Sequence, residues 1–163
     1  MKFCLRFPES GVPELAGRYS DDDTVVLDAG LRARQQGFYD EAGFLAVCRW
    51  KSPRRLSLCA KNGPIFIEDA TRIALTTQHE RLRLSALTSL QGIEYPRASA
   101  LLHLAYPAPN PILDFRALAA IGISQPSGYS FDCWWSYVEF CHALAVSTGV
   151  DMHTLDRALW HFG

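Results

Sequence analysis

Leu87-Thr-Ser-Leu-Gln-Gly-Ile-Glu-Tyr-Pro-Arg-Ala-Ser-Ala-Leu-Leu102 is the stretch from which the fold can be read. Glu80 to Leu90 is predicted helical, and Gly92 to Pro96 a tight turn. Helix resumes over Arg97–Tyr106, with Ala98, Leu101, Leu102 and Ala105 at i, i+3, i+4 and i+7. Gly92 permits the backbone angles that such a turn requires. Ile93 is placed to plug the gap between the two helices, and Ala98 to let their axes approach. The first amides of the second helix have no partner within it and can hold a backbone phosphate. These features predict a helix-hairpin-helix unit at residues 80–106.

Helical signals extend outward in both directions. The acids Asp21–Asp23 suit a helix N-terminus, and that helix is predicted to stop at Gly37. Asp40 caps the next, with Phe44, Leu45, Val47 and Cys48 on one side, and Ser52-Pro53 ends it. After Asn62-Gly63-Pro64, Ile67, Ala70, Ile73 and Ala74 fall on one helical face. Pro107, Pro109 and Pro111 predict a stiff extended linker. A short helix starts after Asp114, Ser130 caps a longer one, and Asp151 caps the last. The only strand-like run is Thr24–Leu27. The expectation is all-α: a compact bundle of about seven to eight helices, with an irregular arm at 1–20 and one domain at 21–163.

The balance of charge restricts the partners. Net charge is −1, so coating of nucleic acid by bulk electrostatics is excluded. Charge is nevertheless local: Arg49, Lys51, Arg54, Arg55 and Lys61 form a basic segment with no acid in it. The five cysteines lack CxxC spacing and read as reduced, mostly buried thiols. No segment approaches the ~20 apolar residues of a membrane span, and Arg6 and Pro8 break any signal-peptide pattern. A cytoplasmic protein with no membrane partner is expected, nucleoid-associated if it binds DNA.

The hairpin, together with the segment running on to Arg116, resembles the helix-hairpin-helix DNA glycosylases of base-excision repair. Their hairpin typically reads Leu-Pro-Gly-Val-Gly, then two residues, a small one and an alanine; here Leu90-Gln-Gly-Ile-Glu-Tyr-Pro-Arg-Ala98 occupies it. The resemblance is clear over 80–122 and extends to 38–122. It implies a double-stranded DNA partner contacted through Gly92, Ile93 and Arg97. It also implies a catalytic aspartate at Asp114, eighteen residues past Pro96. Three departures matter. Pro96 stands where the bifunctional branch has its attacking lysine, so Schiff-base strand cleavage from that position is excluded. Glu94 replaces the second turn glycine. Cys133 and Cys141 alone cannot hold the iron–sulfur cluster of many relatives, so no cofactor is expected.

Each candidate carries two readings. Asp114 can activate water or stabilise the oxocarbenium charge as a base leaves its sugar, or it can simply cap a helix. Trp50 can be a wedge or base platform with Lys51, Arg54 and Arg55 on phosphates, or a core residue beside a solvated loop. Trp134, Trp135 and Tyr137 can line a base pocket, but one adjacent tryptophan at most faces the core, and core with cover is the favoured reading. His142, His153 and His161 lack zinc-site spacing, so no metal is expected. Two functions remain: a monofunctional N-glycosylase using Asp114 and water, or a non-enzymatic module that binds DNA shape or a protein partner.

Overall fold

The computed structural model describes residues 3–124 and 128–163 and contains no strand among them. In chain order its helices are α1 (Val12–Gly17), α2 (Thr24–Gln36), α3 (Glu41–Lys51), α4 (Leu56–Cys59) and α5 (Pro64–Thr76). They continue as α6 (Glu80–Thr88), α7 (Tyr95–Ala105), α8 (Phe115–Ala120), α9 (Phe131–Thr148) and α10 (Met152–Phe162). The fold is all-α. Three of the ten, α1, α4 and α8, are pieces of six, four and six residues. The chain divides into two compact units: a central one, Asp22–Tyr106, and a terminal one, Met1–Asp21 with Pro107–Gly163.

In the central unit, α2 buries Val26, Ala29, Gly30 and Ala33, a stripe of small residues on one face. Gly30 is decisive, because a Cβ there would lie 2.2 Å from the Leu104 carbonyl oxygen. Bare backbone therefore lets α2 and α7 approach closely. Thr24–Leu27 is the first turn of α2, not a strand, and Gly37 ends the helix at φ +84°. Asp40 caps α3 by accepting the Gly43 amide at 2.6 Å. Tyr39, fully inside, donates through its hydroxyl to Leu101 O at 2.8 Å, while its amide donates to Thr71 Oγ1 at 2.9 Å.

Helix α7 is the core element. Arg97 through Ala105 are all buried, so it has no solvent face. Each leucine it buries contributes about 1.5–3 kcal/mol of transfer free energy. Helix α5 buries Ile67, Ala70, Thr71 and Ala74. Ile73, expected on that face, is 45% exposed. Thr71 takes the inward position instead, since its hydroxyl donates back to Ile67 O at 2.7 Å and is thereby satisfied inside.

The terminal unit packs α1 and α8 on α10. Its N-terminal segment, expected to be irregular, holds a 3-10 turn at Glu9–Gly11 and α1; Met1 and Lys2 of that predicted arm lie outside the described residues. Ahead of the 3-10 turn, Cys4 N donates to Ile121 O at 3.0 Å and Arg6 N to Ala120 O at 2.9 Å. The expected extended linker is instead a turn, closed by Asn110 N donating to Pro107 O at 3.1 Å. Ser130 and Asp151 cap α9 and α10 as predicted. Trp134 is completely buried and Trp135 only partly, in keeping with their separation around the helix. Cys48, Cys59 and Cys141 are buried, Cys133 partly so and Cys4 exposed; all five are free thiols.

Candidate functional site

The basic loop and the turn between α6 and α7 are far apart in sequence, and the central unit joins them. Gly92 in that turn has φ +78°, the left-handed region that glycine favours. A Cβ at Gly92 would meet Cys59 Sγ at 2.8 Å, so the end of α4 packs directly on the turn. Asn62, buried, then pairs with Gln91 through both ends of its amide. Its Oδ1 accepts Gln91 N at 2.9 Å, and its Nδ2 donates to Gln91 O at 3.0 Å and to Cys59 O at 2.9 Å.

Arg97 completes the attachment. Its guanidinium donates to Gly92 O and to Ser52 O, each at 2.9 Å, and to Arg54 O. Only 8% of Arg97 is exposed, so these donors are directed at carbonyls rather than at solvent. The structure thus gives Arg97 a structural task in place of the phosphate contact expected of it. Ile93 is likewise 4% exposed, and its amide donates to Leu90 O at 3.1 Å, so side chain and amide are both engaged within the fold.

Trp50 is also engaged. Its Nε1 donates to Asp23 Oδ1 at 2.9 Å, which ties the end of α3 to the start of α2. Of the acidic run, Asp23 thus serves tertiary structure. Asp22 turns on its own chain, where its Oδ1 accepts the Thr24 amide and hydroxyl. Lys51 is half-buried, whereas Arg54 and Arg55 are exposed, as are Arg49 and Lys61. Arg55 has φ +59°, a conformation that non-glycine residues seldom adopt. Its side chain reaches Glu94 at 2.6 Å, with both partners more than 60% exposed. A pair so exposed is worth about 0–1 kcal/mol. The replaced glycine of the turn therefore places its charge on the basic loop.

Asp114 lies in the terminal unit as the N-cap of α8, half-buried, its Oδ1 accepting Arg116 N at 2.8 Å. The segment before it is gripped at Ile112. Both carboxylate oxygens of buried Asp156 accept the Ile112 amide, at 3.1 and 3.2 Å, and Tyr137 donates to Ile112 O at 2.9 Å. Burial pushes the Tyr137 phenol and the Cys141 thiol up, and the Asp156 charge adds to both shifts. Tyr137 and Trp134 are thus core residues.

Sequence reasoning missed Asn62, Tyr137 as a hydrogen-bond donor, and Asp156. The signal for Asn62 was present but read locally, as a helix-start Asn-Gly-Pro. Among the described residues, no group of three or more His, Cys, Asp or Glu is placed to hold a metal ion. His142 is engaged with Pro109 O at 2.9 Å. Among the same residues, no helix is long and apolar enough to cross a membrane. Comparison with protein-family models, with curated proteins and with solved structures finds no match for the chain.

Proposed function

We propose that this chain is a duplex-DNA-binding module of the helix-hairpin-helix type, whose phosphate contacts are made by the basic segment 49–61, centred on the loop 52–55 between α3 and α4. The observation that carries this reading is the anchoring of that loop on the α6–α7 turn by Arg97. A loop held by its carbonyls can direct its side chains outward, and Arg54 and Arg55 are the exposed pair it offers. Pre-ordering also lowers the entropy lost on binding. The central unit suits this role, with eleven basic residues against nine acidic ones in a chain that is net negative.

The test is fluorescence anisotropy on a labelled duplex of mixed sequence over a range of salt. Affinity should be weak and fall steeply with salt, since phosphate contacts release counterions. Reversal of both Arg54 and Arg55 to Glu should abolish binding. No binding by the wild type at low salt, or equal binding by the double variant, ends this reading.

A second reading, hydrolysis of an N-glycosidic bond, is favoured by one observation. Asp114 stands half-buried at a helix start, on a segment fixed from both sides at Ile112. A fixed carboxylate of this kind can hold a water or face a developing cation without reorganising. The lysine that would add strand cleavage is replaced by Pro96, in the first turn of α7.

A further inference from the structure

Between α3 and α4 the chain reverses within four residues, Ser52–Arg55. Two short-range bonds shape the reversal: Ser52 Oγ accepts the Arg54 amide at 3.2 Å, and Pro53 O accepts the Leu56 amide at 3.3 Å. Arg55 stands third in the second of these turns, at φ +59° and ψ 16°, where glycine or asparagine is usual. Arg97 holds the carbonyls of Ser52 and Arg54, so the backbone of the turn is fixed on its inner side. Pro53, Arg54 and Arg55 are exposed. The two guanidinia are not equivalent. That of Arg55 is drawn aside to Glu94 at 2.6 Å, whereas that of Arg54 has no partner among the described residues.

We propose that this turn enters the minor groove of duplex DNA, that Arg54 is the side chain it inserts, and that the preferred substrate is an A·T-rich duplex; the inference rests on the DNA-binding reading above. The two grooves differ in what they admit. The major groove, about 12 Å wide, takes a helix or a two-stranded ribbon, while the minor groove, about 6 Å wide, takes a single arm of chain or one side chain. Here the basic element is a turn of four residues. Beyond it α4 is itself only four residues long, and the last turn of α3 is tied through Trp50 to Asp23. A·T-rich tracts narrow the minor groove and strengthen its negative potential, which draws arginine in. Their floor carries only acceptors, adenine N3 and thymine O2, and lacks the amino group that guanine adds. A guanidinium has donors alone, so it matches that floor, and its weak hydration makes it easier to insert than an ammonium. Arg55, to one side, is left to exchange Glu94 for a phosphate of the groove wall. The alternative is that both arginines only touch phosphates along the duplex, which makes base composition irrelevant.

The discriminating measurement is the affinity of the full chain, at one low salt concentration, for three duplexes of equal length: all A·T, all G·C and all I·C. Inosine lacks the guanine amino group in the minor groove but keeps the guanine pattern in the major groove. Binding to A·T should be about five- to tenfold tighter than to G·C, with I·C close to A·T. Arg54→Lys should keep the slope of log affinity against log salt, since the charge remains, yet lose most of the A·T preference. Arg55→Lys should leave that preference unchanged. If Arg54→Lys does not fold, as judged by its melting curve, Arg54→Gln takes its place, with the same loss of preference expected. Equal affinity for the three duplexes, or I·C behaving as G·C does, would overturn the proposal and leave duplex binding standing. So would an A·T preference that survives in the Arg54 variant. No duplex binding by the wild type sinks this inference together with the function it rests on.

Discussion

Arg97 and Ser52 stand forty-five residues apart, and a single hydrogen bond of 2.9 Å from guanidinium to carbonyl joins them. With its companions to Arg54 O and Gly92 O, that bond turns a basic loop and a turn between helices into one surface.

Replacing Arg97 with Met should therefore damage both stability and binding. Hydrogen bonds to charged groups are worth about 1.5–3 kcal/mol, and three carbonyls lose their donor at once. A loss of at least ~2 kcal/mol in urea unfolding is expected, together with weaker duplex binding. Arg97→Lys should recover little, because an ammonium cannot span three carbonyls in a planar fork. Wild-type stability in Arg97→Met would mean that the loop stands without its tie.

Gly92→Val should be more severe. It places a β-branched residue at φ +78° and drives its Cβ towards Cys59 Sγ, 2.8 Å away. We expect more than ~2 kcal/mol of destabilisation, seen as a lowered melting temperature. An unchanged melting temperature would show that the turn is formed differently.

Glu94→Gln tests the loop from the opposite direction. The Arg55–Glu94 pair is exposed, so its removal should leave stability within about 1 kcal/mol of wild type. Duplex affinity should rise several-fold at low salt, since one repulsive charge is lost and Arg55 is released towards phosphate. Unchanged or weaker affinity would place the phosphates elsewhere.

Asp114→Asn separates cap from catalyst. Asparagine still accepts the Arg116 amide, so stability should change by less than ~1 kcal/mol. Base release from a panel of damaged and modified duplexes, scored after alkaline cleavage, should fall at least ~100-fold if the carboxylate acts in catalysis. Equal release by both proteins would move the chemistry to another residue; none from the wild type would leave DNA binding as the sole activity. Borohydride should trap no covalent adduct at abasic sites, given Pro96.

Alkaline pH should unfold the chain through its buried phenols. Burial raises Tyr39 and Tyr137 above the ordinary tyrosine value of about 10. Both are held neutral in the fold, so their contribution is complete below that pH. Stability is lost as pH climbs towards their raised folded values, because the unfolded chain releases its protons first. The urea midpoint should fall above about pH 10, with a shallower fall in Tyr137→Phe. Tyrosinate absorbance from these two residues should appear only as the chain unfolds.

What the sequence made legible was mostly local. The caps at Asp40, Ser130, Asp151 and Asp114 and the stop at Gly37 each depend on a few neighbouring residues, and all are present. What it concealed were pairings across the chain. Arg97 and Trp50 carry the residue types of DNA contacts, and only the folded chain reveals the carbonyls and the Asp23 carboxylate that occupy them. Ile73 has the right period for the core, but a threonine that satisfies its own hydroxyl displaced it. The stack of Arg116 on Trp160 joins residues forty-four apart, and no period within one helix signals it.

Helix α7, buried from Arg97 to Ala105, sets a clock for the rest of its unit. Its amides have no exposed side from which solvent can enter, so their hydrogen exchange requires opening on the scale of the whole unit. The segment 52–58 is half exposed, holds only short-range backbone bonds and is tied to the turn by the Arg97 side chain, so it can open alone and exchange much sooner. A polyanion bound on the loop would slow both, because opening of the whole unit opens the loop as well. Slowing of the loop in step with α7 thus marks the loop itself as the occupied place, whereas a ligand held elsewhere in the unit would slow α7 alone.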